Sequence, residues 1–327
     1  MLGDILFGGV AIVIGVAASY GLFWLFNFLL SKLPARIQRK THWLAFLTPA
    51  LVLVILVLVV PIIQTIVWSF QDKRLDEWVG FDNYVNLLTD PKFLGVLLNN
   101  FLWVLVVPAI TVAIGTAVAT LSNQVGPTRE RIFKSLIFMP MSISFVAAAT
   151  IWSFAYSYVP PGRPEIGLLN AIWSAMGLDT QPWLTIDAWR LNSFLLMAVL
   201  VWLQVGYAMV IISAAIKAVP EETLEASRID GAGPWQIFAQ IILPQVWGAI
   251  MSVFITVLIL VMKIFDVVLA MTGGNFDTSV LALEWYRTFF VGNAIGPASA
   301  IVVILFILIV PLMYVQIRTV KKAEELR

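Results

Sequence analysis

The residues with the most specific spacing form a polar segment between two long apolar stretches. The segment contains Glu225-Ala226-Ser227, then after three residues Gly231, then after nine more Ile241-x-Leu243-Pro244. A carboxylate at an exposed corner can pair with a basic residue of a docked protein, which makes Glu225 a candidate binding residue. Its alternative role is a charge that stabilises the helix dipole. Gly231 suits a corner after a helix, because glycine adopts a positive φ without penalty.

Two short helices are predicted around this corner. Pro220 and the carboxylates that follow it are typical of a helix start. Gly231 ends that helix, and Pro234 can begin a second one over residues 235–243, which we expect Pro244 to end. Residues 218–244 are therefore predicted to form a rigid projecting knob that binds a partner outside the membrane.

Composition places most of the chain in lipid. Of its 327 residues, 61% are hydrophobic and 12% are charged, which is far outside the range of soluble domains. A net charge of +1 argues against a nucleic-acid partner, and the absence of cysteine excludes disulfides and thiolate sites. With one histidine, His42, we expect no metal, cofactor or catalytic residue in this chain.

The predicted fold is an all-α integral membrane protein with about seven spans. The stretches long and apolar enough to cross a bilayer are residues 4–30, 43–70, 94–122, 132–156, 191–214, 246–272 and 294–316. The fourth contains Pro140 near its middle, which predicts a kink there.

Basic residues indicate the orientation of the chain. If the links after spans one, three and five and the tail are cytoplasmic, 13 of the 20 Lys and Arg residues lie inside. This assignment predicts an outside N-terminus, with the knob and the C-terminus in the cytoplasm.

Two charges fall inside the sixth predicted span. Lys263 and Asp266 are three residues apart, so on one helix face they can pair. A charge at membrane depth must face protein, a partner or a water-filled cavity, which makes both residues candidates for a substrate pathway. The alternative is a structural ion pair near the outer interface.

The spacing of the knob residues resembles the EAA loop of permease subunits of bacterial ABC importers. That loop reads Glu-Ala-Ala, three residues, Gly, nine residues, Ile-x-Leu-Pro, and this chain departs from it only at Ser227. The resemblance implies an importer-type permease fold, with six core helices plus one N-terminal helix. It also implies that the knob is a coupling helix docked on a cytoplasmic ATPase, with Glu225 in an ionic contact.

Further segments resemble the sugar-uptake branch of these permeases: Ile137-Phe138-Met139-Pro140, Ala218-Val219-Pro220-Glu221 and Met271-Thr272-Gly273-Gly274. The leading helix and the run Glu165-Ile166-Gly167-Leu168-Leu169-Asn170 are most similar to subunits that import α-glucosides. The resemblance implies residues 1–42 as an extra helix with a basic link, 43–318 as the permease domain and 319–327 as a cytoplasmic tail.

A sugar passage needs hydrogen-bonding groups beside aromatic rings. The resemblance places Phe265 and Asp266 where a core helix meets the outer mouth. Trp202 and Gln204 in the fifth span are further candidates, although they point in different directions, and Trp152 and Tyr156 in the fourth span are similar ones. Core packing is the alternative for these four.

The resemblance implies alternating access in the bacterial plasma membrane. The implied partners are a second permease subunit, two copies of an ATPase that uses ATP and Mg, an extracytoplasmic solute-binding protein, membrane lipid and the sugar. This chain has no Gly-x4-Gly-Lys-Ser/Thr phosphate loop of its own.

Two other classes of function stay open from the sequence. An ion-coupled secondary carrier would need carboxylates at mid-membrane, and only Asp266 is a candidate. A non-transporting assembly or sensor subunit would keep the knob but have no sugar path.

Overall fold

The computed structural model describes residues 2–32, 34–160 and 162–325, and within these ranges it is helical and contains no strand. In chain order the helices are α1 (Leu2–Ser31), α2 (Ala35–Val54, continued by Ile55–Val59 and Val60–Trp68), α3 (Asp82–Thr89), α4 (Pro91–Ser122), α5 (Pro127–Phe138), α6 (Phe145–Ala155), α7 (Leu168–Ala175), α8 (Leu191–Lys217), α9 (Glu221–Ile229), α10 (Pro234–Met262), α11 (Asp266–Met271), α12 (Leu281–Tyr286) and α13 (Ile295–Glu325). Six of the described helices are long and apolar enough to cross a membrane, and a bent pair makes seven. The predicted fold class is confirmed.

Residues Met1–Trp68 form one compact unit, which contains α1 and α2. In each of its two candidate spans, the most apolar 18-residue window contains no buried residue. The exposed apolar surfaces of these two helices are stable only where lipid or other membrane helices cover them. Because α2 begins at Ala35, most of the predicted basic link belongs to a helix instead of a connection.

Residues Ser69–Arg327 form the second unit, whose core is built by α4, α8 and α10. Its largest fully buried side chains include Trp103, Leu196 and Met209. The close packing of α4 on α8 requires glycine, since a Cβ added at Gly115 would lie 2.5 Å from the Ala208 Cβ. The predicted fifth span is confirmed, with its helix extending to Lys217.

The fourth span is broken near Pro140, as predicted, and the break is sharper than a kink. Helices α5 and α6 are bent by 102°, with a 3₁₀ turn over Met139–Ser142 between them. The Ser144 side chain accepts a hydrogen bond from the Ala147 N–H at 3.2 Å and so caps α6. The bend lies directly against α8, because a Cβ at Gly206 would meet the Ile137 carbonyl oxygen at 2.6 Å.

The sixth predicted span had the wrong limits at both ends. Helix α10 begins at Pro234 and ends at Met262, and α11 is a separate short helix. Opposite charges lie at the two helix ends that face the break: Lys263 at the C-terminus of α10 and Asp266 in the first turn of α11. Each charge interacts favourably with the dipole of its own helix. This interaction favours two separate helices over one continuous helix.

Candidate functional site

The first half of the knob consists of α9 and the glycine corner that follows it. Gly231 has a φ of 84°, and its N–H donates to the Arg228 carbonyl at 3.1 Å. The Ala232 N–H donates to the Ser227 carbonyl at 3.0 Å, which completes a Schellman motif. The predicted positive φ at the corner is confirmed.

This geometry predicts the effect of one substitution. The variant Gly231→Ala should lower the free energy of unfolding by about 1 kcal/mol, because an alanine in the left-handed region is strained. No atom lies within 4 Å of the added Cβ, so the effect comes from the backbone alone. Gly233→Ala is the matched control, since Gly233 has an ordinary φ of −72°. Equal melting temperatures for the two variants would contradict the prediction.

The second half of the knob differs from the expectation. The Gly233 N–H donates to the Gln236 side chain at 2.8 Å, and Pro234 begins the helix as predicted. Pro244 does not end it, which corrects the prediction of a short helix over 235–243. The backbone passes through a π-helical segment, Ile237–Ile242, whose wider turn accommodates a residue without an N–H.

The predicted docking residues divide into exposed and supporting ones. Glu225, Ala226 and Pro244 are exposed, as is Gly231, whereas Ser227 is buried and donates to the Leu224 carbonyl at 2.7 Å. The two remaining residues of the motif are half-buried: Ile241 and Leu243. Their side chains support the knob more than they extend its surface.

Sequence reasoning missed two large apolar side chains at the knob surface. Ile229 is 85% exposed and Trp235 is 75% exposed, on either side of the Gly231 corner. Their position beside a glycine corner in a polar segment is a signal that could have found them. Exposed anchors of this kind are typical of protein-binding surfaces.

A polar cluster joins the knob end of α8 to α5. Lys134 and Lys217 each lie 2.5 Å from a carboxylate oxygen of Glu130. Lys134 also contacts Ser213, whose hydroxyl donates to the Asn123 side chain at 2.8 Å. Since α8 leads into the knob, these contacts connect the knob end of α8 to the first helix of the bent span.

A cavity of about 590 Å³ lies where the bend of α5 and α6 faces α8, α10 and α11. Its polar lining comes from Ser144, Gln204, Tyr207, Thr256 and Asp266. The remaining lining is apolar and includes Phe145. The structure thus brings together two of the predicted pathway residues, Gln204 and Asp266, and adds three polar groups that sequence reasoning missed.

Lys263 and Phe265 do not line this cavity. The prediction that Lys263 and Asp266 share one helix face is wrong, because the backbone breaks between them with Phe265 at φ −143° and ψ −55°. Within the described residues no ion pair joins the two charges, and Lys263 is exposed. The Phe265 ring packs against Tyr286 with centroids 5.3 Å apart.

Trp152, Tyr156 and Trp202 form an aromatic cluster away from this cavity. The Trp152 ring lies 5.2 Å from Tyr156 and 5.7 Å from Trp202. The Tyr156 hydroxyl donates to the Leu195 carbonyl at 3.3 Å. Trp202 borders a separate apolar cavity, so its predicted divergence from Gln204 is confirmed. These contacts favour packing for the three aromatic residues.

The cavity can bind a neutral or polar molecule through several hydrogen bonds. It offers hydroxyl, amide and carboxylate groups beside the Phe145 and Tyr207 rings. This combination suits hydroxyl-rich ligands, because aromatic rings cover their apolar faces.

Apolar spans, a broken helix beside a cavity with several polar groups, and an exposed knob are features of a multi-pass membrane transport protein. Residues 109–320 match the family described as binding-protein-dependent transport system inner membrane component, and the chain belongs to this family. The predicted resemblance to ABC importer permeases is confirmed. This membership favours the importer over the ion-coupled carrier and the sensor subunit.

Similar proteins cover nearly the whole chain. The alpha-glucoside transport system permease protein AglF of Rhizobium meliloti (strain 1021) is 44% identical, over 94% of each chain. The osmoprotective compounds uptake permease protein GgtC of Synechocystis sp. is also 44% identical, over 86% of this chain and all of that protein. A crystal structure of a bacterial alginate ABC transporter, in complex with alginate pentasaccharide-bound periplasmic protein, matches with a TM-score of 0.72 and 21% identity. That match covers 85% of this chain and 94% of the other.

Proposed function

We propose that this chain forms half of a translocation pathway for a sugar, of the α-glucoside di- or oligosaccharide class. The observation that supports it most is the cavity in which Gln204, Tyr207 and Asp266 meet beside Phe145. Gln204 and Tyr207 are three residues apart and share a face of α8. The name of the alpha-glucoside permease supports the sugar class.

The remaining partners belong to the same proposal. A second permease subunit supplies the other half of the pathway, and two copies of an ATPase bind ATP and Mg and hydrolyse the nucleotide. The knob docks on that ATPase through Glu225 and its neighbours. A solute-binding protein delivers the sugar outside, where the N-terminus lies, while the knob and C-terminus face the cytoplasm.

Helix α8 provides the connection between the cavity and the knob. The cavity residues Gln204 and Tyr207 lie on the helix that ends at Lys217, just before α9. ATP binding closes the ATPase pair and moves the knob. The polar cluster around Glu130 transmits this movement to the bend that borders the cavity.

Reconstitution with the partner permease and ATPase in liposomes tests the proposal. A binding protein loaded with maltose or trehalose should stimulate ATP hydrolysis and sugar uptake, and Glu225→Ala combined with Gly231→Pro should abolish both. Uptake that does not need ATP would overturn the importer assignment. Stimulation by glycine betaine alone would overturn the sugar class, an outcome that the osmoprotective relative makes worth testing.

The cavity makes a further prediction with a matched control. Gln204→Ala or Asp266→Asn should lower sugar uptake about tenfold, as expected for a lost hydrogen bond to a bound ligand. Lys263→Gln is the control, because Lys263 is exposed and lies outside the cavity. Radiolabelled uptake in the same liposomes measures all three, and an equal loss in the control would place the sugar path elsewhere.

A further inference from the structure

Two pairs of residues at the end of the molecule opposite the knob have a left-handed backbone. Trp189 and Arg190 precede α8 with φ values of 55° and 56°, and Phe276 and Asp277 follow α11 with 54° and 57°. Each such residue costs about 1 kcal/mol or more when it is not glycine. Strain of this kind persists only where surrounding contacts impose it, and it concentrates at functional sites.

Buried polar side chains hold the two pairs together. Arg190 contacts the Asn99 side chain and donates to the Asp277 carbonyl at 3.2 Å. Asn99 donates to the same carbonyl at 2.5 Å, and Asn192 donates to the Phe276 carbonyl at 2.7 Å. Because both asparagines are buried, this network fixes the two turns as one rigid support.

The support presents aromatic rings to the outside. Trp189 is 95% exposed and Phe276 is 49% exposed. The carboxylates of Asp187 and Asp277 are exposed beside Trp189, in an open cavity of about 430 Å³, and in the described part of the chain neither is paired with a cation. Arg190 also lines this cavity, where its guanidinium contacts the Asn99 side chain and donates to the Asp277 carbonyl. With two carboxylates and one cation in the lining, the net charge offered to a partner is negative.

We propose that this outer platform, formed by Trp189, Phe276, Asp187 and Asp277, is the docking surface for the solute-binding protein. The inference rests on the proposed function and names the contact that the partner makes. The partner surface that fits it has an apolar pocket for Trp189 and a basic rim for the carboxylates. Trp is the residue that most often anchors such interfaces.

The geometry favours a protein over a free sugar or a lipid. A sugar site encloses its ligand, whereas the Trp189 ring has no facing wall until a second protein provides one. A tryptophan that anchors a protein in the membrane interface can lie on an ordinary helix and needs no left-handed turn. Two unpaired carboxylates beside it would be repelled by anionic lipid headgroups.

The test uses the complete importer complex in nanodiscs and its fluorescently labelled binding protein loaded with maltose or trehalose. Trp189→Gly removes the ring and keeps a residue suited to the left-handed turn. We expect the affinity, measured by fluorescence anisotropy, to fall about tenfold or more. ATP hydrolysis without binding protein and the melting temperature should not fall. Trp247→Ala removes another exposed tryptophan, from α10, and should leave the affinity unchanged.

Three outcomes separate the possibilities. An affinity within twofold of wild type for Trp189→Gly would overturn the platform while leaving the proposed function intact. No binding of loaded protein to the wild-type complex would overturn the proposed function, and the platform with it. An Asp187→Cys variant, labelled with an environment-sensitive dye because the chain has no other cysteine, adds the third outcome. Quenching of the dye by brominated lipid, with no response to the binding protein, would make the surface a membrane anchor and overturn the docking role.

Discussion

Replacing Ile229 and Trp235 together by serine should lower binding-protein-stimulated ATP hydrolysis about tenfold or more. Both side chains are large, apolar and mostly exposed, and they lie on either side of the Gly231 corner. A partner that covers these two side chains removes apolar surface from water, which stabilises the complex. Glu225 alone cannot supply this hydrophobic contribution. The double variant should therefore weaken docking of the ATPase more than Glu225→Ala does. Stimulated hydrolysis in liposomes and co-purification of the ATPase both measure the effect.

The matched control for this prediction is Ile166→Ser. Ile166 is another well-exposed apolar residue, and it precedes α7 outside the knob. We expect it to leave hydrolysis and co-purification unchanged. If the double variant keeps full stimulation, the ATPase binds the knob through other residues, and Ile229 and Trp235 have no role in coupling.

Gly206→Ala should destabilise the fold. The added Cβ would lie 2.6 Å from the Ile137 carbonyl oxygen and 2.7 Å from the Phe138 Cα. These are backbone atoms that cannot rotate away, so the bend must move off α8. We expect the free energy of unfolding to fall by about 1–3 kcal/mol, as for other overpacked sites. Since Gly206 lies between Gln204 and Tyr207, sugar uptake should fall as well.

Gly15→Ala is the control for Gly206→Ala, because it measures the effect of helix propensity alone on stability. No atom lies within 4 Å of a Cβ at Gly15 in α1, so that variant should be neutral or more stable by about 1 kcal/mol. Gly206→Ala should lower the melting temperature, whereas Gly15→Ala should leave it unchanged or raise it. A stabilised Gly206→Ala variant would contradict the close contact between α8 and the bend.

The sequence by itself determined the all-helical membrane fold with about seven spans, the corner of the knob and the family. Long apolar stretches predict membrane helices because the bilayer leaves their backbones no other way to satisfy their hydrogen bonds. The positive φ at Gly231 was predictable because a glycine corner is a local property of the chain. The spacing from Glu225 to Pro244 identified the permease family, and residues 109–320 match it.

Only the tertiary structure decided how the site is assembled. Lys263 and Asp266 looked like neighbours on one helix, but the backbone breaks between them, and Asp266 joins Gln204 in the cavity. The sequence predicted that Pro244 ends a helix. In the structure the helix continues past Pro244, because the π-helical segment before it accommodates the proline. Spans that are apolar all around give no periodicity from which a buried face can be read. The sequence could not predict the outer platform either. Its two left-handed turns are held together by hydrogen bonds from Asn99 to the Asp277 carbonyl and from Asn192 to the Phe276 carbonyl. Both asparagines lie far from these carbonyls along the chain.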